Sequence, residues 1–177
     1  LSATFEAHLS GDPRLSVLFA PGSSNSVIVG MPNGSTSDSY VSATTGLTVP
    51  GVTDRHVYAQ THPALRGKDV PMVFQTYAEV EFLKAEAAIR GWISSSAEEH
   101  YNKGVTAAMK MLKQLYPAST AITDAEISAY LAGPGAYDAS KGWEMAMNEY
   151  WKATFLNEYE AYANWRRTGY PTLTPTG

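Results

Sequence analysis

The chain contains no cysteine among its 177 residues. Disulfides, thiolate zinc sites and a cysteine nucleophile are thereby excluded, while the compartment stays open, because many exported bacterial proteins also lack cysteine. No apolar run reaches the roughly 18 residues that a membrane-crossing helix requires. The opening LSATFEAHLSGDPR offers neither a basic start nor an apolar core, so the chain as given reads as having no transmembrane helix and no signal peptide. Charge is scarce as well. Charged residues make up 17% of the chain, the formal net charge is -4, and no basic stripe is present, which argues against a nucleic-acid partner. The four histidines, His8, His56, His62 and His100, form no HExxH motif and no pair one helical turn apart, so a zinc site is not expected. GxSxG, a phosphate-cradling glycine loop and a Ser/His/Asp arrangement are missing too. No catalytic residue, metal or cofactor is implied.

What is present describes a globular protein: 44% hydrophobic residues, 11 Tyr and 4 Trp. A chain of this size makes one domain burying about 70% of its unfolded surface. Interior packing accounts for most of the aromatic rings, and binding platforms are the other use of such amphipathic side chains.

Punctuation is uneven. Residues 1–71 hold Pro13, Pro21-Gly22, Pro32-Asn33-Gly34, Pro50-Gly51, Pro63 and Pro71, with a Ser/Thr/Gly-rich stretch over 35–48. These mark turns and loops. A helix at about 2–9 and short extended pieces at 15–19, 27–29 and 57–59 are expected within an otherwise irregular segment. From residue 72 helix formers dominate. Ala78, Phe82, Ala85 and Ile89 share one face of a helix that stops at Gly91. Ser96 and Glu99 read as a capping box for a second helix carrying Tyr101, Val105, Ala108, Met109 and Leu112. The pair over 72–116 predicts an antiparallel hairpin of the tetratricopeptide kind, which needs neighbours to bury both faces. Over 124–177 a short helix at 124–131 and the turn Gly133-Pro134-Gly135 lead into one long helix. Its aromatic stripe is Trp143, Met147, Tyr150, Trp151, Phe155, Tyr159, Tyr162 and Trp165. Glu144, Asn148, Glu149, Lys152, Glu158 and Glu160 fall largely off that stripe, toward solvent. Gly169 reads as a left-handed C-cap, and Pro171 cannot continue the ladder.

These segments resemble the SusD/RagB family of glycan-binding outer-membrane lipoproteins of Bacteroidetes, and within it the SusD-like lipoproteins. The resemblance is carried by Asp12-Pro13-Arg14-Leu15, Gly30-Met31-Pro32-Asn33-Gly34, the run TYAEVEFLKAEAAIRGW from Thr76, Ala97 to Val105, and the ending WRRTGYPTL from Trp165. In order and spacing they span essentially the whole chain. Family members are much longer, begin with a lipidated cysteine and build most of their tetratricopeptide-like helices from the amino-terminal half. The resemblance therefore implies the carboxy-terminal part of such a protein: a mainly α chain, an α-α superhelix of tetratricopeptide-like helix pairs with a loop-rich, irregular first third. It further implies an oligosaccharide or polysaccharide ligand, a SusC-type TonB-dependent transporter as partner, and a place on the extracellular face of the outer membrane. The lipid anchor would be supplied outside this chain.

A sugar presents flat C–H faces and a rim of hydroxyls, so its site wants aromatic platforms beside planar polar groups. Tyr40, Tyr58, His62 and Asn33 in the irregular third, with Trp92 and Tyr137 at element ends, are the candidate ligand residues. Arg166 and Arg167 are expected to cap carbonyls and pair with a local acid rather than clasp an acidic sugar. Asp12 and Arg14 read as a turn pinned by an ion pair. The acidic pairs Glu79/Glu81, Glu98/Glu99 and Glu158/Glu160 read as solvated helix faces. A glycosidase needs two carboxylates across a cleft, which adjacency does not supply. Besides glycan binding, a protein-interaction module docking the transporter and, as a minor alternative, a glycoside hydrolase stay open.

Overall fold

The computed structural model describes residues 1–33 and 57–173, together with the backbone of 39–41 and 48–50. The proposed contact at the Tyr40 side chain lies outside these residues. Among them are seven α-helices: α1 (Ala3–His8), α2 (Arg14–Leu18), α3 (Tyr77–Ile89), α4 (Ala97–Leu115), α5 (Asp124–Ala132), α6 (Gly142–Ala153) and α7 (Glu158–Thr168). Strands β1 (Phe19–Ala20) and β4 (Gln60–Thr61) pair antiparallel, as do β2 (Ser39–Val41) and β3 (Thr48–Pro50).

Local chemistry accounts for the helix starts. The Thr76 hydroxyl accepts from the Glu79 N–H at 3.2 Å while the Glu79 carboxylate accepts from the Thr76 N–H at 2.9 Å, a complete capping box for α3. Thr123 and Glu126 do the same for α5. At α4 only half of the expected box forms. Ser96 Oγ accepts from the Glu99 N–H, but the Glu99 carboxylate takes Lys103 one turn on. Helices α3, α4 and α6 pack on one another around Phe82, Val105, Met109 and Met147, all fully buried. The α3/α4 pair is antiparallel: Thr76 and Glu79 lie near Ala108 and Leu112, whereas Glu81 and Phe82 meet His100 and Tyr101.

Three expectations are corrected. Residues 14–18 are helical rather than extended, because Pro13 sets φ at -64° and Arg14, Val17 and Leu18 are all buried, a spacing that a half-buried strand does not give. Residues 27–29 and 57–59 form no strand of their own. The Val29 carbonyl accepts from the Ala59 N–H at 2.8 Å, but the ladder lies one step on, at β1 and β4. The long aromatic helix is two helices. Thr154 turns its hydroxyl back onto the Tyr150 and Trp151 carbonyls, and Leu156 adopts φ 71°. The chain is thereby redirected so that Asn164 is the buried residue of α7 while Tyr159 and Tyr162 face solvent.

Candidate functional site

Two constellations of polar and aromatic side chains stand out, one buried and one at the surface. In the buried one, Arg14 Nη2 donates to Asp12 Oδ2 at 2.5 Å and to Glu149 Oε2 at 2.6 Å. Lys152 Nζ donates to Glu149 Oε1 at 2.7 Å and to the Tyr130 hydroxyl at 2.9 Å, and that hydroxyl donates to Glu149 Oε1 at 2.7 Å. Two cations thus face two anions. Burial alone would push the Glu149 carboxyl up, but Arg14 and Lys152 outweigh it and hold the group down at about 2. Desolvation raises the Tyr130 hydroxyl far above its ordinary value. Apart from Arg14 Nη1, which is buried without a hydrogen-bond partner, the network's charged groups and the Tyr130 hydroxyl are held by one another away from solvent, and together they join the turn before α2 to α5 and α6. The ion pair expected at Asp12 and Arg14 is present. The solvent-facing placement of Glu149 and Lys152 is not, since both are buried.

Glu79 and Glu81 are likewise buried rather than solvated. Glu79 is absorbed by the cap and by the Tyr150 hydroxyl at 3.4 Å, and burial raises its carboxyl. For Glu81 burial is outweighed by hydrogen bonds from His100 at 2.6 Å and Lys84 at 2.9 Å, which bring it to about 2.

The surface constellation lies where α3 ends. Gly91, at φ 71°, stops the helix, its N–H bonding to the Ala88 carbonyl and the Trp92 N–H to the Ala87 carbonyl. This doubly bonded left-handed cap fixes the backbone on which Trp92 stands. The indole of Trp92 is 69% exposed. The Arg90 guanidinium lies 5.1 Å from its ring centre and 4.6 Å from that of Trp143 on the first turn of α6. Arg90 Nε donates to Glu86 Oε1 at 2.9 Å, and Arg167 Nη1 donates to both Glu86 oxygens at 2.7 Å. Arg167 Nη2 reaches Asn164 Oδ1 at 2.8 Å. One buried carboxylate therefore ties together the ends of α3 and α7, with Trp143 closing the group from α6. Arg167 does pair with an acid, though one 81 residues away rather than local. Arg166 lies over the exposed Tyr162 ring.

Tyr137 belongs to the same end. Its half-buried ring lies 5.3 Å from that of Tyr101, and its hydroxyl closes on Gly142, the residue before Trp143. Asn33, Tyr58 and His62 all lie in the loop-rich first third of the chain. Asn33 is exposed just beyond Met31, whose N–H bonds to the Leu1 carbonyl. Tyr58 is buried against Val29, and burial raises its hydroxyl. His62 Nδ1 accepts from the Ala64 N–H at 3.2 Å, capping the short turn Pro63–Leu65. Tyr40 is placed only through its backbone pairing with Val49. Reasoning from sequence missed Glu86, Arg90 and Trp143 as neighbours of Trp92. The Glu86/Arg90 spacing of four was a readable signal; the approach of Trp143 was not.

A groove of about 370 Å³ beside Phe5, Phe19, Trp151 and Phe155 is also aromatic. Its rings pack on one another, Phe5 edge-on to Trp151 at 4.7 Å and stacked on Phe155 at 5.5 Å. Phe5 and Phe19 are buried, and Trp151 and Phe155 are partly buried against them. Among the described residues no group of three or more His, Cys, Asp or Glu could hold a metal ion, and no helix is long and apolar enough to cross a membrane.

A SusD-like family model described as "Starch-binding associating with outer membrane" matches residues 2–177. A solved chitin-binding protein superposes with a TM-score of 0.80 at 31% identity, over 99% of this chain and 38% of its own. A SusD-like structure from Bacteroidetes gives 0.65 at 35% identity, over 70% of this chain and 24% of its own. A SusD homologue from Bacteroides vulgatus gives 0.71 at 26%, over 97% and 38%. The chain thus spans between 24% and 38% of the length of these three structures. No curated protein matches.

Proposed function

This chain belongs to the SusD-like family, and from that membership we propose that it is the carboxy-terminal part of a glycan-binding protein held at the extracellular face of the outer membrane. There it would present an oligosaccharide to a SusC-type TonB-dependent transporter. The observation that carries the reading within this chain is the Trp92 platform, an exposed indole whose backbone is locked by the α3 cap and whose neighbour is a half-exposed guanidinium. A sugar ring lays its C–H face on the indole while its hydroxyls accept from the guanidinium. Tyr137 extends the aromatic surface at this end. Asn33, Tyr40 and His62 are further proposed contacts in the first third of the chain, where Tyr58 is buried against Val29.

No bond is made or broken. Glu79, Glu81, Glu86 and Glu149 are buried and held by caps, cations or hydroxyls, which speaks for binding over hydrolysis. The test is affinity electrophoresis of the full-length gene product through gels containing neutral or acidic polysaccharides. Retardation by one class of glycan, weakened by Trp92→Ala, is expected. Release of reducing ends by the purified protein would instead make it a hydrolase.

A second reading is favoured by one feature. Met72, Phe74 and Tyr77 before and at the start of α3 are 81%, 83% and 61% exposed, and Tyr159 on α7 is 91% exposed. Exposed large apolar side chains such as these suit a protein-docking face. If no glycan retards the full-length protein, while Phe74→Ser and Tyr159→Ser release it from a co-purified transporter, docking is the chain's role.

A further inference from the structure

We infer that the platform formed by Trp92, Arg90 and Trp143 selects a carboxylated saccharide, a chain bearing uronic acids, over its neutral counterpart. The inference rests on the glycan-binding reading and adds the ligand class. Arg90 is 43% exposed at its side chain and commits only Nε to Glu86; its two terminal nitrogens have no hydrogen-bond partner among the described residues. Arg167 differs, because both of its terminal nitrogens are engaged, by Glu86 and by Asn164. Arg90 is therefore the arginine of this pair that presents a fork.

Charge points the same way. Glu86 is the single anion bonded by two guanidiniums, so these three groups together carry one positive charge. Lys141 and Glu144, flanking the start of α6 on either side of Trp143, are exposed and opposite in charge, and the carboxylates of Glu98 and Asp138 act on Tyr137. A neutral sugar hydroxyl would draw on Arg90 as an ordinary donor. A carboxylate matches the planar fork with two parallel charge-assisted bonds, which are roughly twice as strong as neutral ones. The two indoles beside the guanidinium displace water from it and strengthen that pairing. The sixth carbon of a hexuronic acid carries its carboxylate at the edge of the ring, so the sugar's C–H face can lie on Trp92 while the carboxylate reaches Arg90. Trp92 supplies affinity for the ring and Arg90 supplies discrimination by charge.

The experiment measures binding of the full-length protein to polygalacturonate, alginate and a glucuronoxylan, each beside its carboxyl-reduced form, by affinity electrophoresis and calorimetry. The inference expects at least one acidic polymer to bind about tenfold or more tightly than its reduced form, the worth of a charge-assisted pair. Arg90→Gln is expected to erase that difference while leaving the weaker neutral binding in place, and Trp92→Ala to weaken both. Arg90→Lys, which keeps the charge and loses the fork, should fall between, and helicity by circular dichroism establishes that each variant is folded. Equal binding of acidic and reduced polymers, or an acidic preference that survives Arg90→Gln, overturns the inference and leaves glycan binding standing. Absence of binding to every polymer, acidic or neutral, overturns the glycan reading itself.

Discussion

Arg14 and Glu149 stand 135 residues apart in the chain and meet at 2.6 Å, with side-chain exposures of 1% and 3%. The contact ties the loop-rich opening of the chain to the helices that follow. With Asp12, Lys152 and Tyr130 it neutralises four charges in a space from which water is excluded. Such a cluster adds little net stability over a well-packed apolar core, but every member is needed once any member is present.

Truncating one partner should therefore be severe. Glu149→Ala leaves Arg14 and Lys152 buried with Asp12 as their remaining anion, and a loss of about 3–5 kcal/mol in unfolding free energy is expected. Urea denaturation measures it. Glu99→Ala removes the exposed Glu99–Lys103 pair and should leave the midpoint essentially where it was. Similar midpoints for the two variants would show that the buried network is not a pin.

Acid should unfold the protein through these same carboxylates. Glu149 and Glu81 are each brought to about 2 from an ordinary value of 4.5, because the cations and donors around them outweigh burial. Folded values below unfolded ones mean that the unfolded state binds more protons across this interval. The stabilisation is thus full above the ordinary value and drains away as pH falls from 4.5 toward 2. Glu79 works in the opposite sense, since burial raises its carboxyl, and offsets part of the loss. Urea midpoints should hold above this interval and drop steeply within it, and Glu81→Gln should flatten the drop. An unchanged slope in that variant would remove Glu81 from the account.

What could be read from the sequence was what neighbours in the chain decide. The run of helix formers after residue 72 announced α3, and Tyr101, Val105, Ala108, Met109 and Leu112 all lie buried on the one face their spacing assigned. Gly169 holds φ 80° at the end of α7, as a left-handed cap requires. Burial of Glu149 was illegible because Arg14, one of its two counter-charges, comes from 135 residues away. The break at Leu156 was illegible for another reason: Tyr159, Tyr162 and Trp165 continue the helical spacing straight through it, and spacing alone does not distinguish an aromatic ring in the core from one in solvent. At the surface, Trp92 was legible as an exposed ring at an element end. Its pairing with Trp143 through Arg90 depends on how α6 returns past the end of α3, which no local pattern encodes.

Gly104 should resist substitution even though it sits within α4. An alanine Cβ there would lie 2.6 Å from Phe82 Cε1, and Phe82 is fully buried with no room to turn away. Replacing a helical glycine with alanine usually gains about 1 kcal/mol. Overpacking of the α3/α4 contact costs about 1–3 kcal/mol and should win. Gly104→Ala is therefore expected to lower the urea midpoint, and adding Phe82→Leu to recover part of the loss. A midpoint raised by Gly104→Ala alone would mean that the two helices separate more easily than their packing implies.

The break between α6 and α7 offers the reverse case, a position where glycine should stabilise. Leu156 is held at φ 71°, the left-handed region that an L side chain occupies at a cost of about 1–2 kcal/mol. Its side chain is 43% exposed, so little packing is lost on removing it. Leu156→Gly relieves the strain but loosens the unfolded chain, leaving an expected gain of about 0.5–1 kcal/mol. Leu156→Ala keeps the strain and gives up the packing, so it should lose stability. Thermal melts of the two variants separate backbone from side chain. If both fall together, the contacts that Leu156 makes in the groove beside Phe155 outweigh its backbone strain, and the position of the break is set by side-chain packing.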